Sequence, residues 1–208
     1  IIHDLYDEKD ELSNVFELAK KYGTEDRFVA FASTSKITYP GAGVSAVAAS
    51  DANIEDIKKR LTVQIISYDK LNQLRHSFLY KNLDDLKAQM AKHAEILRPK
   101  FAKMAEVLHK RLGGLGIASW TDPKGGYFIS LNVDIGSAKR VGELCRECGV
   151  TLTGVGATYP YGNDPDDANI RLAPSCPTVD EIETAAEVIC AAVKIAAAEQ
   201  LLGKGEKE

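Results

Sequence analysis

From Phe28 to Gly43 the sequence reads Phe-Val-Ala-Phe-Ala-Ser-Thr-Ser-Lys-Ile-Thr-Tyr-Pro-Gly-Ala-Gly, with three hydroxyl side chains directly ahead of Lys36. The first five residues are apolar and of strand type, and Pro40 with Gly41 ends regular structure soon after. A lysine at the end of a buried strand is poorly solvated, and burial lowers its pKa toward the neutral amine that attacks a carbonyl. Ser33, Thr34 and Ser35, beside glycine backbone that allows close approach, suit a phosphate. An amine for an aldehyde next to hydroxyls for a phosphate describes a site for pyridoxal 5′-phosphate (PLP).

A second run, Ala168-Asn-Ile-Arg-Leu-Ala-Pro-Ser175, sets Arg171 among apolar neighbours on a predicted strand. An inward arginine is costly unless it meets an anion, and its planar fork matches a carboxylate with two hydrogen bonds. A lysine of this kind followed by such an arginine resembles the fold-type I PLP-dependent aminotransferases. The nearest group is that of aspartate aminotransferase-like proteins related to the MocR-type proteins. Asp69-Lys-Leu-Asn-Gln-Leu-Arg-His76, Lys92-His-Ala-Glu-Ile-Leu-Arg-Pro-Lys-Phe101 and Gly125-Gly-Tyr-Phe128 extend the resemblance over essentially the whole chain.

The resemblance implies roles for single residues. Lys36 would form the Schiff base with PLP and, once released, shuttle a proton from the substrate α-carbon. Ser33, three residues ahead of it, would hold the phosphate, with Ser35 as a second candidate. Arg171 would bind the substrate carboxylate. Better-known members of the fold follow the lysine with Pro-Gly-Leu-Arg. Here that stretch is Pro40-Gly-Ala-Gly43, so the phosphate falls to hydroxyls, backbone N–H groups and residues elsewhere. Gly126-Tyr-Phe128 resembles a segment near the substrate, although Tyr127 and Phe128 read first as core. Asn72, Gln73 and Arg75 suit a partner subunit, the phosphate or an exposed polar face equally.

These groups need elements to position them. The pattern predicts a helix over Glu11–Tyr22 stopped by Gly23, a strand over Arg27–Ala32 and a short partner over Val44–Ala49. Ser50 caps a helix to about Leu61, and Val63–Asn82 mixes helix and loop signals. Leu86, Met90, Leu97, Phe101, Met104, Leu108 and Leu112 recur at helical steps, predicting one long helix over Leu83–Leu112 with Pro99 inside it. Strands follow at Ile117–Trp120, Tyr127–Val133, Thr151–Leu152 and Asn169–Leu172. A helix over Ser137–Cys148 interrupts them, and a capping box at Thr178–Glu181 opens a last helix to about Leu202. Lys204–Glu208 reads as a charged tail.

The fold class expected is α/β: the C-terminal part of the fold-type I transferase fold, with a large-domain remnant and an α/β small domain. Residues 1–83 would be the remnant, 84–112 an interdomain helix and 113–208 the small domain, whose closure would carry Arg171 to the substrate. The opening Ile1-Ile-His-Asp-Leu-Tyr6 reads as the end of a strand already under way, in a chain about half as long as the family's members. The family's pyridine-binding aspartate, stacking aromatic and Gly-rich phosphate loop are not found here. The chain by itself is therefore expected to be inactive.

Composition narrows the field. With 208 residues, 45% of them hydrophobic, the chain has enough apolar content for a core. A net charge of -4 offers no footprint for nucleic acid, and no run is apolar enough for a membrane span. The expected setting is the cytoplasm, the expected assembly a homodimer, and no metal is expected. Cys145 and Cys148 lie at a helix C-terminal end, unlike a redox pair, and all four cysteines read as buried thiols. Ser33-Thr-Ser-Lys36 also matches the Ser-x-x-Lys of penicillin-recognising enzymes, but the Lys-Ser/Thr-Gly strand of that class is missing. The function expected is amino transfer between an amino acid, aspartate among the candidates, and a 2-oxo acid. The rivals are a PLP-dependent lyase or decarboxylase and the ligand-sensing domain of a MocR-like transcriptional regulator.

Overall fold

The computed structural model describes residues 13–205. The strand end read at Ile1–Tyr6 and the start of the first predicted helix lie outside the described residues. Residue contacts divide the chain into two compact units, Ile1–His93 and Ala94–Glu208.

In the first unit, helix α1 (Val15–Lys21) starts where Asn14 accepts hydrogen bonds from the N–H groups of Phe16 and Glu17. A 3-10 turn at Glu25–Arg27 occupies the predicted strand start. Strands β1 (Val29–Ser33) and β2 (Ser45–Ala49) pair antiparallel, from Val29 opposite Ala49 to Ser33 opposite Ser45. Ser50 caps α2 (Asp51–Gln64) as predicted. The ambiguous stretch resolves into α3 (Lys70–Leu79), whose first turn is tied by Asp69 accepting from Asn72 N–H at 2.9 Å. Among the described residues, Ala19 is the one buried apolar side chain of this unit, while Phe31, Val63 and Ile66 are each more than three-quarters exposed.

Helix α4 (Leu83–Leu112) runs on from the first unit into the second. It has Asp84 and Asp85 in its first turn and His109, Lys110 and Arg111 in its last, an order that suits the helix dipole. Pro99 is accommodated inside it, forgoing one backbone hydrogen bond. Leu97, Phe101, Met104, Leu108 and Leu112 of the predicted stripe are buried, while Leu86 and Met90 are only half-buried.

The second unit holds an antiparallel sheet of order β3-β4-β5, made of Ala118–Trp120, Ile129–Val133 and Asn169–Leu172. Ile129, Leu131 and Val133 alternate inward along β4. Helix α5 (Ala138–Glu147) is capped by Ser137. It ends at Gly149, whose φ of 81° is the left-handed conformation that glycine adopts freely. The Thr178–Glu181 capping box forms as predicted, with Thr178 N–H donating to the Glu181 carboxylate at 2.8 Å. It opens α6 (Val179–Gly205), which carries helical backbone past the predicted end at Leu202. Arg140 on α5 grips Glu199 on α6 through two bonds of 2.9 Å. The α/β class is borne out.

Three expectations fail locally. Thr151–Leu152 is loop, because this short run finds no strand to pair with. Cys148 and Cys176 are exposed, and only Cys145 and Cys190 are buried. Burial pushes those two thiols up to about 11. Phe128 lies at the surface rather than in the core. No helix among the described residues is long and apolar enough to cross a membrane.

Candidate active site

Strand β1 delivers its last residue, Ser33, to a tight turn. Thr34 closes the hairpin neck twice: its N–H donates to Val44 O at 2.9 Å, and its Oγ1 accepts from Val44 N–H at 2.8 Å. Ile37 and Thr38 N–H both return to Thr34 O, at 2.9 and 2.8 Å, so Lys36 rides inside a single closed turn. The hydroxyls of Ser33 and Ser35 are 2.7 Å apart, and Ser35 N–H donates to Ser33 Oγ at 3.2 Å. Gly43 lies against this pair. A Cβ there would run into Ser35 Oγ and come within 3.0 Å of the Ser35 backbone.

The sequence-predicted Ser33 and Ser35 thus meet through their hydroxyls, with the Gly43 backbone against them and Lys36 next in the chain. One expectation is corrected. Lys36 is exposed, because β1 and β2 leave their apolar faces open among the described residues instead of burying the strand end. Ser33 and Gly43 border a cavity of about 660 Å³ that also meets Tyr68, Asn72 and Gln73.

Two residues of α3 hold the other side of the loop. Asn72 is buried, not part of an exposed polar face, and its Nδ2 donates to Ala42 O at 2.7 Å and Gly43 O at 3.1 Å. His76, one turn later, donates from Nδ1 to Asn72 O at 2.9 Å. Its Nε2 is 2.8 Å from Thr38 Oγ1 and 3.2 Å from Thr34 Oγ1. The polar pair four residues apart on a helix face was the available signal for this grip.

In the second unit, Arg171 stands on β5 opposite Ser130. Its guanidinium lies 4.6 Å from the ring centroid of Phe128, a cation–π contact. Arg171 Nε is buried and has no partner among the described residues. A buried donor without an acceptor is costly, and an incoming carboxylate would satisfy it. Beside it is a cavity of about 120 Å³ lined by Met104, Leu152, Pro174 and Ile182, among others. Burial raises the Tyr127 hydroxyl pKa. Among the described residues, no cluster of His, Cys, Asp and Glu is arranged to hold a metal ion.

The Gly43 contact gives a direct expectation. Gly43→Ala should displace Ser35 at a cost of about 1–3 kcal/mol. If the Ser33–Ser35 pair holds a PLP phosphate, PLP should then dissociate roughly 5- to 150-fold more readily at equilibrium, as measured by fluorescence titration, at 1.4 kcal/mol per tenfold. Unchanged PLP affinity would remove the Ser33–Ser35 pair from the phosphate site.

Comparison with known proteins shows the family. The model of the aspartate amino-transferase family matches residues 1–205. An aspartate aminotransferase of Corynebacterium glutamicum is 45% identical over 198 residues, which are 95% of this chain and 46% of that protein. An aminotransferase of Mycolicibacterium smegmatis is 46% identical over 202 residues, 97% of this chain and 47% of that protein. The chain spans about half the length of the curated relatives it matches. In structure it resembles a crystal structure of an aspartate transaminase from C. glutamicum, with a TM-score of 0.88 at 45% identity, covering 95% of this chain and 47% of that one. The fold also matches an α-aminoadipate aminotransferase from Thermus thermophilus complexed with N-(5′-phosphopyridoxyl)-L-leucine. There the TM-score is 0.75 at 22% identity, over 95% of this chain and 49% of that one. This chain belongs to the aspartate amino-transferase family.

Proposed function

We propose that the protein containing this chain is a PLP-dependent aminotransferase that moves an amino group between an amino acid, aspartate first among the candidates, and a 2-oxo acid. The Ser33–Ser35 hydroxyl pair under Gly43, one residue from Lys36, carries the reading. When bound, PLP supplies the electron sink that lets the substrate α-C–H bond ionise. Ser33 and Ser35 would hold the phosphate, and Lys36 Nζ would supply the amine for the aldehyde. Lys36 Nζ would also be the base for the proton on the substrate α-carbon. Arg171, with its unpartnered Nε, binds the substrate carboxylate with its guanidinium against Phe128.

The naming of a 45% identical relative as an aspartate aminotransferase supports the choice of substrate. We place the reaction in a cytoplasmic homodimer. Four unbridged cysteines suit a reducing compartment, and the open faces of β1 and β2 suit cover by further protein. An acid for the pyridine nitrogen is not among the groups assigned here, so we expect this chain alone to be inactive.

The test is stoichiometric. The intact protein, given aspartate and 2-oxoglutarate, should form oxaloacetate and glutamate in equal amounts. Carbon dioxide or ammonia released without glutamate would mean a decarboxylase or lyase instead.

A further inference from the structure

We infer that His76 is a positioning residue for Lys36: through Thr34 and Thr38 its imidazole locks the turn from which the lysine reaches. The inference rests on the assignment of Lys36 to PLP, and its test separates the two.

A carbonyl oxygen only accepts, so the 2.9 Å contact with Asn72 O puts the hydrogen of the ring on Nδ1. In the neutral ring Nε2 then presents its one lone pair toward the hydroxyls of Thr38 at 2.8 Å and Thr34 at 3.2 Å. Thr34 Oγ1 already accepts from Val44 N–H, which leaves its own proton to donate to Nε2. Thr38 Oγ1 is also 3.1 Å from Thr34 O, so its single proton serves either that carbonyl or Nε2. The ring is held from its sides by Tyr39 and Tyr80, with centroids 5.9 and 6.1 Å away. Asn72, one turn earlier on the same face of α3, clamps the carbonyls of Ala42 and Gly43.

One helix face therefore grips the loop at Thr34, Thr38, Ala42 and Gly43, while Lys36, between the first two, stays exposed. A lysine on a flexible four-carbon stem reaches its target more reproducibly from a fixed base. A misplacement of about 1 Å at a reacting group is worth on the order of 10²-fold in rate.

The experiment uses the intact protein stripped of PLP, with two readouts. One is the rate at which added PLP becomes covalently attached, followed by absorbance. The other is the affinity for pyridoxine 5′-phosphate, which has the phosphate but no aldehyde and so reports the phosphate site alone. His76→Ala should slow attachment roughly 10- to 100-fold while pyridoxine phosphate binding stays within about threefold, a margin of roughly 0.7 kcal/mol. His76→Gln places an amide oxygen near the Nε2 position, where it can accept from the threonines, and should restore most of the rate. His76→Asn keeps only the Nδ1-like donor and should behave as alanine does. If His76→Ala does not fold, the Gln and Asn variants decide the matter between them. Equal attachment rates in these two, or parallel loss of pyridoxine phosphate binding, would overturn the positioning role. Borohydride reduction of the wild type followed by peptide mapping checks the underlying assignment. A phosphopyridoxyl group on another lysine overturns that assignment and the inference with it, whereas a label on Lys36 leaves the variants to judge His76 alone.

Discussion

Lys36→Ala should remove the yellow absorbance that borohydride bleaches in the PLP-loaded protein, and amino transfer should fall by more than any other single change produces. Loss of positioned proton transfer alone costs roughly 10²–10⁴-fold, and loss of the covalent hold on the cofactor adds to it. If Ser33 and Ser35 hold the phosphate, their hydroxyls remain in the variant, so PLP should still bind, without the reducible linkage. Absorbance before and after reduction, together with single-turnover rates, reads both effects. A reducible linkage that survives in the variant would place the reactive amine elsewhere.

Arg171→Lys should separate substrate from cofactor. Lysine keeps the charge but loses the flat two-pronged donor set and the stacking on Phe128, which lies 4.6 Å from the guanidinium. Affinity for the amino-acid carboxylate should drop by about 2–5 kcal/mol if the pair is desolvated, and PLP affinity should stay as it was. Titration of PLP-loaded protein with a non-reacting substrate analogue measures the first, and cofactor equilibrium the second. Equal carboxylate affinity in the two proteins would remove Arg171 from the site.

Much of this arrangement was legible in the order of residues. The hairpin of β1 and β2, the Ser50 cap, the long α4 and the Thr178–Glu181 box all follow from local rules, and the structure has them. What escaped was set by surroundings. The burial expected at Lys36 assumed cover on β1, and the strand's own residues do not provide it. Helix α3 was obscured because Leu71, Leu74, Phe78 and Leu79 are exposed while the polar Asn72 is buried, which inverts the usual amphipathic pattern. His76 appeared only as part of a matching segment. Its two-sided bonding depends on Thr34 and Thr38, 42 and 38 positions away along the chain, which no helical period reveals. Phe128 read as core because aromatic residues usually are, yet here its ring serves the arginine above it.

The uneven distribution of buried apolar side chains bears on how any affinity at the Lys36 turn should be understood. Covering residues such as Phe31, Val63 and Ile66 contributes about 1.5–3 kcal/mol each, and a few of them together rival the net stability of a whole domain, roughly 5–15 kcal/mol. In the first unit that driving force is unspent among the described residues, since Ala19 is its one buried apolar side chain. The fraction of molecules with the turn correctly formed is then governed by whatever covers those faces. An apparent dissociation constant equals the intrinsic one divided by that fraction. Two preparations with identical Ser33, Ser35 and Lys36 could therefore hold PLP with very different strength, and the difference would be one of population rather than of chemistry.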